Sequence, residues 1–181
     1  MNNNRDFFSI ARAGDIISMR SDGFVGKLIR WVTASNINHV AIYIGNGLII
    51  ESALGHGVRI IPLEIYLNDP SEEVHISRVK GKFDCERIIN FSYRFHGAKY
   101  NLLGQFGILV KHMAKRARLN KLITFWGENR LNYDGFWCSE FVGIVFSREY
   151  IKFSDDDTSY LTPSEIFDNT EEISWQQINL K

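Results

Sequence analysis

The stretch that decides the fold runs from His39 to Glu51 and reads HVAIYIGNGLIIE. Its first half is rich in β-branched and aromatic side chains, which favour strands. Asn46-Gly47 is a strong signal for a two-residue type I′ turn, and the apolar run after it leads back to Glu51. The stretch therefore predicts a β-hairpin with His39 at the open end of one strand and Glu51 on the other.

The turn also predicts the pairing of the two strands. With Asn46-Gly47 as the turn, Gly45 faces Leu48, and continuing that register places Glu51 opposite Ile42. Glu51 is then within reach of the region around His39 without lying directly across from it.

Further elements are predicted on both sides of the hairpin. Ile16-Ile17 indicates a short strand, and Ser21 or Asp22 could cap a helix that ends near Thr33, with its apolar residues on one face. Further strands and helices are expected at Val58 to Ile61, Val74 to Val79, Cys85 to Phe95, Leu102 to Arg130 and Cys138 to Phe146. Thr162-Pro163-Ser164-Glu165 has the pattern of a capping box with proline at the first helical position.

Length and composition limit the possible classes of protein. The chain has 181 residues, of which 45% are hydrophobic and 13% aromatic, enough for a core in a single domain spanning 1–181. Lys plus Arg and Asp plus Glu both number 21, and this zero net charge argues against a nucleic-acid-binding protein.

The N-terminus lacks a signal-peptide pattern, and no apolar run is long enough to cross a membrane. A cytoplasmic location is therefore expected, with delivery elsewhere left open.

The two cysteines, Cys85 and Cys138, are far apart and have no close Cys partner. This argues against a disulfide scaffold and against a zinc site, and no metal or other cofactor is expected. Cys85 falls on the apolar face of its predicted helix and is expected in the core.

Cys138 lies at the predicted start of an apolar helix. The free backbone N–H groups and the helix dipole favour a thiolate there, and the same amides could stabilise an oxyanion. The alternative is a buried structural cysteine, which composition alone favours. His39, mounted on a strand, is a candidate general base, and the alternative is an ordinary histidine at a strand edge. Glu51 could orient His39 or be an ordinary exposed residue at a strand end. Together they form a Cys/His/acid set, the minimum for acyl transfer through a thiol.

Several segments in one order resemble a known family. This chain is similar to the YiiX-like branch of the circularly permuted NlpC-type papain-like hydrolases, and more distantly to lecithin:retinol acyltransferase-like proteins. The resemblance rests on Gly14-Asp15-Ile16-Ile17, Asn38 to Gly47, Ile50-Glu51-Ser52, Gly57-Val58, Pro62-Leu63, Trp137 to Val142 and Leu161 to Ile166.

The resemblance implies an α+β, permuted papain-like fold, with a small antiparallel sheet or barrel packed against a helix that bears the nucleophilic cysteine. In the usual order the cysteine helix precedes the histidine strand, whereas here His39 comes first. The resemblance makes Cys138 the nucleophile, His39 the base and Glu51 the third member. Tyr43 could line the site or assist the oxyanion, or simply pack in its strand. Trp137, beside Cys138, could pack under the site or form a substrate wall.

The implied activity is cleavage or transfer of an acyl group through a thioester. The substrate could be the amide of a cell-wall-type peptide or a lipid acyl group, and a lipid-directed acyltransferase or a catalytically silent scaffold protein are the alternatives. The basic run from Lys111 to Lys121 could contact an anionic membrane, although a solvated helix face is favoured. The oligomeric state is left open.

Overall fold

The computed structural model describes residues 3–102, 135–155 and 161–176. Its central element is a six-stranded sheet in which every neighbouring pair is antiparallel, in the order β4-β3-β2-β1-β5-β8. The strands are β1 Ile16–Ser21, β2 His39–Gly45, β3 Leu48–Ala53, β4 Gly57–Pro62, β5 Glu72–Val79, β6 Lys99–Tyr100, β7 Gly135–Phe136 and β8 Thr170–Gln176. The short strands β6 and β7 pair in parallel as a separate ribbon.

Helices cover both faces of the sheet. They are α1 Asn3–Ile10, α2 Phe24–Thr33, α3 Glu64–Leu67, α4 Cys85–Tyr93, α5 Cys138–Ser147 and α6 Pro163–Asp168. The predicted α+β class is confirmed, with an antiparallel sheet packed against the helix that begins at Cys138. No helix in the described ranges is long and apolar enough to span a membrane.

Two hydrophobic cores lie on opposite faces of the sheet because strand side chains alternate. Helix α5 packs against β2 and β3 in the first core, together with α4 and α6. Helices α1 and α3 contribute to the second core on the other face. Val40 and Ile42 of β2 belong to the first core, and Ala41 and Tyr43 to the second.

A β-bulge in β2 changes the predicted register of the hairpin. Pairing shifts between Tyr43 and Gly45, so that Ile42 faces Ile50 instead of Glu51. The predicted pairing of Glu51 with Ile42 is therefore wrong by one residue. The predicted turn holds, since the bulge lies before it.

The bulge decides on which face Glu51 lies. Continuing the observed register places Glu51 opposite Ala41, on the face that His39 also occupies by alternation along β2. A slip of one residue moves a side chain to the other face of a sheet. Without the bulge, Glu51 and His39 would lie on opposite faces.

The predicted helix starts have mixed outcomes. Thr162 caps α6 in a reciprocal capping box with Glu165, as predicted. Ser21 and Asp22 do not cap α2, which begins after Gly23 without a side-chain cap. Ser21 instead ends β1 and donates to Glu72 Oε2 at 2.7 Å, because strand pairing with β5 includes Ser21, opposite Glu72.

Helix α1 and strand β8 were not predicted, and the helical pattern from Leu102 to Arg130, with its basic run, lies almost wholly outside the described residues.

The ribbon that precedes α5 is held against β4 at a glycine. Val58 N–H donates to the Ala98 carbonyl at 2.8 Å, and Gly97 N–H donates to the Val58 carbonyl at 2.8 Å. Gly57 has φ of +72°, and a Cβ there would overlap the Ala98 carbonyl oxygen. Gly55 has a similar φ of +78°, but a Cβ there would meet nothing within 4 Å.

Gly57→Ala is therefore expected to destabilise the protein more than Gly55→Ala. Each substitution places an alanine in the left-handed region at a cost of about 1–2 kcal/mol, and Gly57→Ala adds an overpacking cost of about 1–3 kcal/mol. Urea unfolding of both variants measures the difference. Equal losses in the two variants would contradict the close approach of Ala98 to Gly57.

Candidate active site

The carboxylate of Glu51 is the centre of a buried cluster on β3. It has no exposed surface and is 2.6 Å from His39 Nε2 through Oε2. Arg59 donates from Nε to Glu51 Oε1 at 2.9 Å, and its second nitrogen Nη2 lies 2.8 Å from the same oxygen. The Tyr66 hydroxyl reaches both carboxylate oxygens, at 3.0 Å and 2.8 Å. Side chains from β2, β4 and α3 therefore meet at one carboxylate.

The cluster keeps Glu51 ionised although it is buried. Burial alone would raise the pKa of Glu51, but the hydrogen bond and charge of His39, with Tyr66 and Arg59, lower it to about 2. Hydrogen bonds to the charged form and nearby opposite charges favour ionisation. Glu51 is thus a permanent anion at neutral pH.

His39 is correspondingly stabilised as the imidazolium. Burial lowers its pKa, but hydrogen bonds to Cys138 and Glu51, and the charges of both, raise the pKa of His39 to about 10. Nε2 is engaged by Glu51, so Nδ1 is the ring nitrogen left for the thiol. The structure therefore brings Cys138, His39 and Glu51 together in that order.

Cys138 is the first residue of α5, and its residue surface is 2% exposed. Trp137, in the N-cap position, is extended and offers no side-chain cap, so the amides of the first helical turn have no acceptor within the helix. These amides surround the point from which the thiol projects. They could stabilise negative charge on the thiol or on an acyl oxygen.

Two serine hydroxyls fix the start of α5. Ser52 donates to the Phe136 carbonyl at 2.6 Å, two residues before the thiol. Ser139, fully buried in the helix, donates to the Leu161 carbonyl at 2.5 Å. Ser52 directly follows Glu51 on β3, so their side chains lie on opposite faces of the sheet. Strand β3 therefore carries the carboxylate on one face and contacts the segment before Cys138 on the other.

The remaining two residues predicted for the site have different positions. The Tyr43 hydroxyl accepts a hydrogen bond from Gly47 N–H at 2.9 Å, at the turn end of the hairpin. Tyr43 lies four positions along β2 from His39, or about 13 Å, so the structure does not bring it to the thiol. Trp137 is adjacent to Cys138 and 5% exposed, and its indole Nε1 is buried without a partner in the described part of the chain.

Sequence reasoning missed Arg59, Tyr66 and Tyr100. Arg59 gave a usable signal, because it is a cation within the apolar strand Val58 to Ile61 and lies opposite Glu51 in the β3–β4 register. Tyr66 lies in a four-residue helix that has no sequence signature. Tyr100, opposite Phe136 in the β6–β7 ribbon, has its pKa raised by burial and then by the charge of Cys138, which indicates that it lies near the thiol.

Cys85 has a different environment from Cys138. It is half-buried at the start of α4, and its thiol donates to the Ala13 carbonyl at 2.8 Å. Burial, followed by the charges of Asp15 and Asp84, raises the pKa of Cys85. These surroundings oppose thiolate formation at Cys85.

Within the described ranges, no group of three or more His, Cys, Asp or Glu side chains is arranged to hold a metal ion. His39 and Glu51 are bonded to one another, and Glu51 is also bonded to Arg59 and Tyr66.

One solved structure is similar over almost the whole chain. It is the crystal structure of a protein described as the metalloprotein YiiX from Escherichia coli O157:H7, DUF1105. The TM-score is 0.64 at 15% sequence identity, and the match covers 92% of this chain and 98% of that one. At this identity the likeness shows the fold alone. No curated protein gives a significant match.

A family model gives the remaining comparison. The model that matches is Peptidase_C92, described as a permuted papain-like amidase enzyme, YaeF/YiiX, C92 family. It matches residues 11–106, a segment that contains His39, Glu51, Arg59 and Tyr66, while Cys138 lies outside it. Because the match covers more than half of the 181 residues, the chain belongs to the C92 family of permuted papain-like amidases.

Proposed function

We propose that this protein is a cysteine hydrolase that cleaves an amide or ester acyl bond through a thioester on Cys138. The observation that carries the proposal is the position of His39, which contacts Cys138 and also bonds to the buried carboxylate of Glu51. Such an order of nucleophile, base and orienting acid is the minimum for covalent acyl transfer. Membership of an amidase family supports the reaction class.

In the first half of the reaction, the thiolate sulfur attacks the carbonyl carbon of the substrate, and a C–S bond forms. The negative charge that develops on the carbonyl oxygen is stabilised by the free amides at the start of α5. The His39 imidazolium then gives its proton to the leaving nitrogen or oxygen. The bond from carbon to that atom breaks, and a thioester remains on Cys138.

In the second half, neutral His39 takes a proton from a water molecule as that water attacks the thioester carbon. The C–S bond breaks, the acid product leaves, and the thiolate and imidazolium are restored. Glu51 holds the ring orientation throughout and favours the charged form of His39.

The substrate class remains a cell-wall-type peptide amide or a lipid acyl group. Trp137, buried beside the thiol, would be a wall for either substrate. Tyr43 is left out of the mechanism because its hydroxyl is bonded at the hairpin turn. A lipid-directed acyltransferase would pass the same thioester to an acceptor other than water, and a silent scaffold would form no thioester.

Cys138→Ala is expected to abolish acyl adduct formation and turnover, because it removes the nucleophile. Cys85→Ala is the matched control and should keep both. The protein is incubated with a peptidyl amide or a lipid ester, and the adduct on each cysteine is identified by mass spectrometry, with hydroxylamine to release a thioester. In the unmodified protein, iodoacetamide at pH 6 should label Cys138 ahead of Cys85, whose thiolate is disfavoured by its surroundings.

Equal labelling of both cysteines, with no adduct from any acyl donor, would favour the scaffold alternative. An adduct that is discharged only when an alcohol or amine acceptor is added would indicate an acyltransferase. Both outcomes leave the fold assignment intact and reject hydrolysis.

Glu51→Gln is expected to lower turnover and to shift its pH dependence. The substitution removes the hydrogen bond and the charge with which Glu51 raises the pKa of His39, so that Cys138 alone is left to oppose the lowering of that pKa by burial. The alkaline limb of kcat/KM should move to lower pH, and kcat should fall on the order of 10²–10⁴-fold. The control is Glu64→Gln, which alters an exposed carboxylate on α3. An alkaline limb that stays in place would show that Glu51 does not act on His39.

A further inference from the structure

Arg59 binds the same carboxylate as His39 from the opposite side. Its guanidinium approaches Glu51 Oε1 with two nitrogens, at 2.9 Å and 2.8 Å, while His39 takes Oε2. The Arg59 side chain is 29% exposed and the Glu51 side chain fully buried. The contacts run from Arg59 to Glu51, from Glu51 to His39 and from His39 to Cys138. Arg59 is therefore connected to the thiol only through Glu51 and His39.

From this geometry we infer that Arg59 is a positioning residue that keeps Glu51 ionised while His39 is neutral. The inference rests on the proposed function, in which His39 gives up its proton to the leaving group before it takes another from water. Arg59 acts through Glu51 and touches no reacting atom.

The number of cations beside Glu51 changes during the proposed reaction. At rest, the Glu51 carboxylate is balanced by two cations, Arg59 and protonated His39. Once His39 has donated its proton, one cation remains beside a carboxylate with no exposed surface. A buried carboxylate without a partner takes up a proton, because desolvation penalises its charged form. Arg59, which is always protonated, prevents this.

Tyr66 cannot replace Arg59 in this role. Its hydroxyl donates to both oxygens of Glu51, but it carries no charge. Burial and the charge of Glu51 raise the pKa of Tyr66, so it stays a neutral donor. Tyr66 therefore orients the carboxylate, whereas only Arg59 balances its charge when His39 is neutral.

The other charged and titratable groups around the pair come from three further elements. Glu72 on β5 is coupled electrostatically to His39 and hydrogen-bonded to Ser21. Cys138 on α5 contacts His39, and Tyr100 on β6 lies near that thiol. Among the groups in the described segments that act on the pair, Arg59 is the cation. Glu72 is unchanged in every variant below, so its effect cancels in the comparison.

The chain contains a matched control for the loss of such an arginine. Arg78 contacts buried Asp15 with two nitrogens, both at 2.8 Å. The exposed fractions of the two side chains are 29% and 2%, close to the values for Arg59 and Glu51. Arg78→Met therefore removes a half-buried arginine from an equivalent ion pair, between the residue before β1 and β5, that does not include Glu51 or His39.

The test is the titration of the His39 imidazole by NMR in a Cys138→Ala background, where the thiol no longer contributes to that titration. His39 signals are assigned by comparison with a His39→Gln variant. Loss of the positive charge in Arg59→Met should raise the midpoint of His39 by about half a pH unit or more. Arg59→Lys, which retains the charge, should return the midpoint toward that of the parent. Arg78→Met should leave it unchanged.

A midpoint that does not move in folded Arg59→Met, or that moves as much in Arg78→Met, would overturn the inference. If Arg59→Met does not fold, Arg59→Gln replaces it, since glutamine keeps hydrogen-bond donors without the charge, and the same outcomes apply. If Arg59→Gln also fails to fold, Arg59→Lys decides the test. A His39 midpoint that rises by about half a pH unit or more in Arg59→Lys, although the charge is retained, would reject the inference.

This titration uses neither substrate nor thiol. Its failure would therefore leave the proposed hydrolysis intact, and failure of the Cys138 adduct experiments would leave the Arg59 result standing. A purely structural role for Arg59 predicts lower stability with no change in the His39 midpoint.

Discussion

A carboxylate without contact to water is the constraint on which the rest of this structure depends. An ionised group can be buried only where other groups replace its hydration, and Glu51 obtains this from three side chains on three elements. Strand β4 must therefore pair with β3 in the register that places Arg59 opposite Glu51. Helix α3 must likewise place Tyr66, which packs against the second core, within hydrogen-bond distance of Glu51. His39 completes the set and is thereby held at the end of β2. The requirement of a single charge fixes most of the geometry around the thiol.

Strand β3 transmits that constraint from one face of the sheet to the other. Glu51 and Ser52 are consecutive, so their side chains point to opposite faces, one toward the charged cluster and one toward the ribbon before α5. Movement of β3 would displace His39, through Glu51, and the segment before Cys138, through Ser52, together. A second buried pair, Asp15 with Arg78, fastens β1 to β5 in the same way. Two arginine–carboxylate pairs thus set the alignment of four of the six strands.

The sequence predicted the features that depend on local rules. The Asn46-Gly47 turn, the helix at Cys138 and the capping box at Thr162 each follow from a few neighbouring residues. The bulge in β2 could not be predicted from the turn, because the turn rule assumes a regular ladder, whereas the observed shift places Glu51 on the face of His39. Similarly, Ser21 was predicted as a helix cap but joined β1, since its partner Glu72 is distant in sequence. The assignment of Cys138, His39 and Glu51 needed the family resemblance. Arg59 had a signal in the sequence, as a cation within an apolar strand, whereas Tyr66 emerged only from three-dimensional contacts.

The order of these parts along the chain has a consequence for biosynthesis. His39, Arg59 and Tyr66 lie 12, 8 and 15 residues from Glu51, whereas Ser52 and Phe136 are 84 residues apart. Contacts over short loops close with little entropic cost and form early, and a nascent chain folds from its N-terminal side. The charged cluster can thus assemble on the ribosome before Cys138 has been added. In this order of parts, Cys138 is the last of the three residues to be synthesised, so the three side chains meet only after the charged cluster is complete.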